Sequence, residues 1–194
     1  MRRAVCKTVG KSYCDPNDKT ALGLYKPKIE NCQSVINVDL SGTDVQYVPD
    51  RYFFDVPNLQ NLALARNSIR SIPTIMLEKN GELTMLDLSH NKIEFIQSGL
   101  FNKNPKLSEL YLSNNIISKM DITAFKNLKE SPLIDGGRQR DRRSTKPTSS
   151  LKTLHLYGNL LEPELEKELA AVYNYISDIH VKDPPTFRKI AKID

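Results

Sequence analysis

The middle of the chain holds a carboxylate and an imidazole three residues apart, Asp87 and His90, which are candidates for acid–base chemistry. Arg66 and Asn114 stand 24 residues before and after His90, so a repeating fold would bring them beside it. A carboxylate and a histidine together can supply a general base or metal ligands. However, successive strand residues face opposite sides and a turn would redirect His90, so the spacing alone does not predict that these groups converge.

Other signatures of catalysis are missing from the sequence. It contains no Ser/His/Asp set, no glycine-rich phosphate loop, no His-x-x-x-His pair and no carboxylate cluster. Cys6, Cys14 and Cys32 have no evident base nearby to form a reactive thiolate, and they lack the close cysteine pair and histidine of a zinc site. The sequence therefore predicts a protein that is not an enzyme and that needs no cofactor and no metal.

The elements that must position these side chains follow a nine-residue pattern. Leu83–Asn91 has apolar residues at positions 1, 4 and 6 and asparagine at position 9. The alternation fits a short strand with one buried face, and the asparagine fits a turn where its amide bonds the backbone of a neighbouring coil. The pattern begins at residues 35, 59, 83, 107 and 151, and the first four copies are 24 residues apart; the copy at 35 is degenerate, with Thr43 in place of the asparagine. Further along each of these four copies, position 19 is apolar: Phe53, Leu77, Phe101 and Phe125.

These repeats resemble the "typical" 24-residue subfamily of leucine-rich repeat proteins, which is largely extracellular and includes small secreted or cell-surface proteins of invertebrates. The resemblance implies an α/β fold, a right-handed leucine-rich-repeat solenoid or horseshoe. Its parallel sheet would line the concave face, between an N-terminal cap and a C-terminal capping helix. The family's cysteine-bearing caps also imply a disulfide between Cys14 and Cys32, with Cys6 free or missing its partner. The alternative is three reduced thiols in an intracellular protein.

The length suits one domain with a continuous core. Its expected parts are a cysteine-containing cap over 1–34, four repeats over 35–128, a flexible basic insertion over 129–150, the last repeat over 151–163, a capping helix over 164–180 and a tail over 181–194. Apolar residues at helical intervals predict the helix. Its stripe could instead bind a partner.

The insertion carries a basic motif that favours processing. Arg140, Arg142 and Arg143 match the pattern cut by furin-like proteases, and Arg142-Arg143-Ser144-Thr145 matches a basic-directed kinase pattern. A solvated loop or an unspliced exon boundary would explain the same residues without either role.

Charge and hydropathy exclude several kinds of partner. The net charge of +5 is carried by residues 1–32 and 129–150, whereas the repeats are close to neutral, which argues against nucleic acid. No apolar run is long enough for membrane insertion. The family resemblance implies an extracellular, secreted location. A cytoplasmic location is the alternative, because the N-terminus shows no signal peptide and the chain has no Asn-x-Ser/Thr site.

The predicted function is protein–protein recognition on the concave face, of a receptor-like, immune or adhesive kind. The partner-binding residues expected there are Asp39, Arg66, Asp87, His90, Glu109, Tyr111, Asn114, His155 and Tyr157. Tyr111, His155 and Tyr157 would stand on neighbouring coils if the insertion loops out, and amphipathic aromatic side chains make good interface anchors. The alternatives are an intracellular scaffold or regulatory subunit and an accessory subunit of an enzyme.

Overall fold

The computed structural model describes residues 5–6, 35–128, 150–172 and 178–180, which form a solenoid of successive coils. Its strands are β1 (Val5–Cys6), β2 (Asn37–Asp39), β3 (Asn61–Ala63), β4 (Met85–Asp87), β5 (Phe95–Ile96), β6 (Glu109–Tyr111), β7 (Lys119–Met120), β8 (Thr153–His155) and β9 (Asp178–His180). Seven strands form one sheet in the order β1-β2-β3-β4-β6-β8-β9, parallel except at β1, and β5 and β7 form a second. The predicted α/β solenoid with its parallel sheet is confirmed.

Each strand of the large sheet is fixed by the apolar residue at position 4 of its repeat. Leu62, Leu86 and Leu110 lie in register on adjacent strands, 24 residues apart, and all three are fully buried. The leucines or valines at positions 1 and 6 are buried beside them, so one continuous core runs through the coils. Because side chains alternate along a strand, burial of position 4 leaves positions 3 and 5 on the opposite, exposed face.

In the four repeats that carry it, the asparagine at position 9 ties the coil to the one before it. The Nδ2 of Asn91 donates to the carbonyl oxygens of Leu64 (2.9 Å) and Leu88 (3.0 Å), and its Oδ1 accepts the N–H of Ile69 (3.0 Å). The same bonds recur at Asn67, Asn115 and Asn159. The interpretation of this asparagine as a link between neighbouring coils is therefore confirmed.

Aromatic and amide side chains fill the part of each coil opposite the strand. Phe101 and Phe125 are fully buried with ring centroids 5.6 Å apart. Asn80 and Asn104, at position 22 of successive repeats, are also fully buried, and Asn104 Nδ2 donates to the carbonyl oxygens of Leu77 (3.0 Å) and Asn80 (2.9 Å). This second asparagine series was not predicted, although its 24-residue spacing is visible in the sequence.

The insertion interrupts the repeats but leaves the sheet continuous. β6 pairs directly with β8, which sets Tyr111 opposite His155. On the far side of the coil a 3₁₀ helix ends at Leu128 (Ile122–Leu128), and the Leu128 carbonyl accepts both the N–H and the Oγ of Ser150 at 3.0 Å. The chain therefore leaves and rejoins the solenoid at one hydrogen-bonded point.

The C-terminal segment differs from the prediction. Helix α1 covers Pro163–Val172 and buries Leu169 completely, but Asp178–His180 forms β9, a parallel strand against β8. The expectation of one helix over 164–180 is thus wrong at 178–180. Ile176 and Ile179 fit helical spacing, yet together with Val181 they also repeat the apolar positions 1, 4 and 6 of a coil. Pairing satisfies backbone groups along the edge of β8 that a helix would leave open.

At the other end of the sheet, β1 lies antiparallel to β2, with Cys6 opposite Val38. The Cys14–Cys32 disulfide and the processing motif at Arg140, Arg142 and Arg143 fall outside the described residues. Within the described ranges, no helix is both long and apolar enough to cross a membrane.

Candidate recognition surface

The exposed sheet face presents one side chain from each strand in a straight row. Position 5 of the five repeats is Asp39, Ala63, Asp87, Tyr111 and His155, and these residues are paired in backbone register. Neighbouring strands lie about 4.8 Å apart, so each side chain stands directly beside the next. The sheet therefore brings predicted site residues from distant parts of the chain onto one surface.

Three rings form an aromatic cluster at the C-terminal end of this row: Tyr111, His155 and Tyr157. The ring of His155 meets Tyr111 edge to face, with centroids 5.0 Å apart, and lies 5.8 Å from the centroid of Tyr157. All three are half-buried. Beside them Tyr111 donates its hydroxyl to Glu109 Oε2 at 2.9 Å, and Glu109 is exposed. The prediction that these three rings stand on adjacent coils is confirmed by the geometry.

The carboxylates of the row are held by the turns that follow their strands. Asp87 Oδ1 accepts the N–H of Ser89 at 2.9 Å and its Oγ at 2.7 Å, and Asp39 Oδ1 accepts the N–H of Ser41 at 2.9 Å. Such Asx turns fix the side chain without neutralising it. Asp39 and Asp87 therefore present negative charge at defined places on the sheet.

Position 8 adopts a left-handed backbone in every repeat. Arg66, His90 and Asn114 have φ of 56°, 54° and 54°, and glycine occupies the equivalent place at Gly42 and Gly158. A non-glycine residue in this region costs about 1–2 kcal/mol. At Gly158 a side chain would also collide with Asn114, because an added Cβ would meet the Asn114 side chain and lie 3.2 Å from its backbone nitrogen.

Asp87 and His90 are not brought together as a catalytic pair. Asp87 is bonded to Ser89, whereas Nε2 of His90 lies 3.3 Å from Nδ2 of Asn114 on the next coil. In the portion of the chain that the structure describes, no group of three His, Cys, Asp or Glu side chains is placed to hold a metal ion. The geometry of His90 and Asn114 is that of an exposed polar row.

Position 7 of the repeat, which includes the predicted binding residue Tyr157, is not uniformly exposed. Ala65 and Ser113 are buried, at 8% and 3% exposure, because the strand has ended by position 5 and the chain turns inward before position 8. Only Tyr157, the largest side chain at this position, contributes a ring to the exposed face. The backbone of His180 lies opposite that of His155. The prediction of a helix over this segment did not anticipate that His180 would be a neighbour of His155.

A shallow groove of about 670 Å³ lies away from this face, between β5, β7 and α1. Hydrogen bonds from the side chain and backbone N–H of Thr123 lower the pKa of Asp121 in its wall. Ser98 Oγ in turn lies 2.8 Å from the Thr123 hydroxyl. These polar groups are engaged with one another, which favours a structural role for the groove.

The coil length, the inward leucines and the asparagine series define a leucine-rich-repeat protein. The family model described as "Leucine rich repeat" matches residues 33–93 and 81–131, just over half of the chain, and the protein belongs to this family. Members of the family generally act as interaction scaffolds without catalysis. No curated protein sequence matches the chain at a significant level.

Three solved structures are similar in fold. The Toll–Spatzle complex of Drosophila matches at 20% identity and a TM-score of 0.59, covering 78% of this chain and 19% of that one. A Leptospira interrogans leucine-rich-repeat protein matches at 22% and 0.53, covering 69% and 28%. The complex of TLR13 with ssRNA13 matches at 21% and 0.52, covering 71% and 16%. The chain thus spans less than a third of each of these structures.

Proposed function

We propose that this protein is a non-catalytic recognition module that binds a partner protein on its exposed sheet face, the concave face of the predicted horseshoe. The observation that carries the proposal is the aromatic cluster. Half-buried rings on a hydrogen-bonded sheet lose little conformational freedom on binding and offer large contact area, as interface hot spots do. The predicted binding residues Asp39, Arg66, Asp87, His90, Glu109 and Asn114 would surround them as a polar rim.

A preformed surface suits this role. The asparagine bonds between coils and the continuous core hold the strands in fixed register, so binding needs little rearrangement of the backbone. Among proteins of similar fold, Toll is solved in complex with Spatzle, which supports a protein ligand for a protein of this fold. TLR13 is solved with RNA, which makes nucleic acid the competing ligand class.

We further propose an extracellular location, in keeping with the 24-residue repeat type and the disulfide expected between Cys14 and Cys32. An intracellular scaffold with reduced thiols is the rival. Intact mass of the native-source protein, alkylated without reduction, separates them: one disulfide is expected, and three alkylated cysteines would favour the cytoplasm. Cleavage after Arg143 would appear in the same spectrum.

The recognition surface can be tested by substitution. A partner recovered by co-purification is reconstituted and titrated against Tyr111→Ser/Tyr157→Ser, which should weaken Kd tenfold or more. The matched control is Tyr47→Ser/Phe54→Ser, which removes two aromatic rings outside the exposed sheet face. Thermal melts confirm that both variants are folded. Equal affinity of the sheet variant and wild type would refute the proposal, and an enzyme as the partner would identify an accessory subunit.

A further inference from the structure

The charge of the exposed sheet face is opposite to that of the whole chain. Of the residues at positions 3 and 5 of the five repeats, Asp39, Asp87 and Glu109 are acidic and none is lysine or arginine. The chain nevertheless carries a net charge of +5. The nearest cations in the repeat pattern, Lys152 at position 2 and Arg66 at position 8, border these positions. The binding face is thus an acidic strip on a basic protein.

The acidic strip ends in a group of side chains suited to a cation. Glu109 Oε2 accepts a hydrogen bond from the Tyr111 hydroxyl, whereas Oε1 has no hydrogen-bond partner among the described residues. The Glu109 side chain is exposed. Next to it stand the rings of Tyr111, His155 and Tyr157. Aromatic rings attract ammonium and guanidinium groups electrostatically, and a carboxylate adds a charge-assisted hydrogen bond.

We propose that the partner presents a basic segment to this face, with an arginine or lysine side chain held by Glu109 and the aromatic cluster. Asp87 and Asp39 receive further cations along the row. From β2 to β6 the strip spans about 14 Å, which matches three cationic side chains on alternate residues of an extended peptide. The same carboxylates repel phosphates, so the face selects a basic protein over a nucleic acid. This inference rests on the proposed function and specifies its partner.

The probes are three fluorescein-labelled ligands measured by anisotropy at low salt. They are an octapeptide of alternating arginine and serine, its glutamate–serine counterpart, and a 13-nucleotide single-stranded RNA. The arginine peptide should bind the wild-type protein at least tenfold tighter than the glutamate peptide, and its affinity should fall as salt is raised. Absence of arginine-peptide binding at millimolar concentration would overturn the inference.

Paired charge variants locate the site. Asp87→Asn/Glu109→Gln should weaken the arginine peptide at least tenfold, whereas Asp55→Asn/Glu78→Gln, which removes the same charge from exposed positions opposite the strands, should change it less than twofold. Tyr111→Phe should retain binding because the ring remains, and Tyr111→Leu should lose it. If both double variants lost the same affinity for the arginine peptide, net charge alone would explain the binding and the inference would be overturned. RNA binding that depends on Asp87 and Glu109 would also overturn it.

The natural partner separates the two proposals. If Tyr111→Ser/Tyr157→Ser abolishes partner binding and Asp87→Asn/Glu109→Gln does not, the sheet face is the recognition surface and the basic-segment inference fails. If neither variant affects the partner, both proposals fail.

Discussion

Replacing Asn115 by alanine tests how the recognition face is held in register. Asn115 is buried, and its Oδ1 accepts the N–H of Ile93 at 3.0 Å while its Nδ2 donates to the carbonyl oxygens of Leu88 and Leu112. The two carbonyls each keep a second donor in the variant, from the asparagines of the adjoining coils. The N–H of Ile93, however, loses its side-chain acceptor inside the core.

The magnitude follows from these three bonds. A buried donor left without a partner costs about 1–3 kcal/mol, and each of the other two lost bonds about 0.5–1.5 kcal/mol. We therefore expect Asn115→Ala to lower the free energy of unfolding by roughly 2–6 kcal/mol. The half-buried Asn159 makes the same bonds at the last repeat, where water can replace them, so Asn159→Ala should cost less.

Urea unfolding followed by far-ultraviolet circular dichroism measures the effect. Ser118→Ala, an exposed substitution on the same coil, is the control and should shift stability by less than about 0.5 kcal/mol. The m-value must be compared as well, because a solenoid can lose cooperativity and unfold in parts. A loss for Asn115→Ala no larger than the control would show that the amide does not bridge the coils as described.

Three further predictions concern the turns and the insertion. Gly158→Ala should lower the melting temperature more than Gly42→Ala, since both glycines have positive φ but only Gly158 abuts Asn114. Equal shifts in melting temperature would mean that backbone strain alone causes the destabilisation. Deleting residues 129–148 should leave the fold intact and raise stability by up to about 2 kcal/mol in urea titrations, because a shorter loop costs less to close; insoluble protein would contradict this. The lowered pKa of Asp121 means that its contribution to stability is present above its ordinary value of 3.8 and is lost as the pH falls below it. Asp121→Asn should therefore flatten the acid side of a plot of melting temperature against pH, and an unchanged acid side would contradict that role.

Much of the fold could be predicted because the repeat constrains it many times over. Leucines at positions 1, 4 and 6 and the asparagine at position 9 recur with the same spacing. An error in the assignment of one copy can therefore be recognised from the other copies. The C-terminal segment has no such redundancy. Ile176 and Ile179 are three residues apart, which fits either a helical face or positions 1 and 4 of a coil. The unpaired backbone edge of β8 is what favours a strand at this segment. That edge exists only once the sheet has formed, so it is not visible in the sequence.

The sequence predicted which residues lie at the site, but not the hydrogen bonds and contacts that they make there. Strand alternation places Asp87 and Tyr111 on one face from sequence alone. The bond from Tyr111 to Glu109 and the contact of His90 with Asn114 depend on side-chain rotamers. The burial of Ser113 depends on where the turn begins after the strand, which the nine-residue pattern does not specify.

The number of strands also sets how large a partner footprint this face can accept. From β2 to β9 six parallel strands span about 24 Å, and the three residues of each strand extend about 10 Å, an area of roughly 240 Å². A stable complex between two proteins covers about 800 Å² on each partner. The sheet face alone therefore suits a short segment held with rapid exchange. Long residence would require a second contact, either on the flanks of the same chain or through the avidity of several copies displayed together.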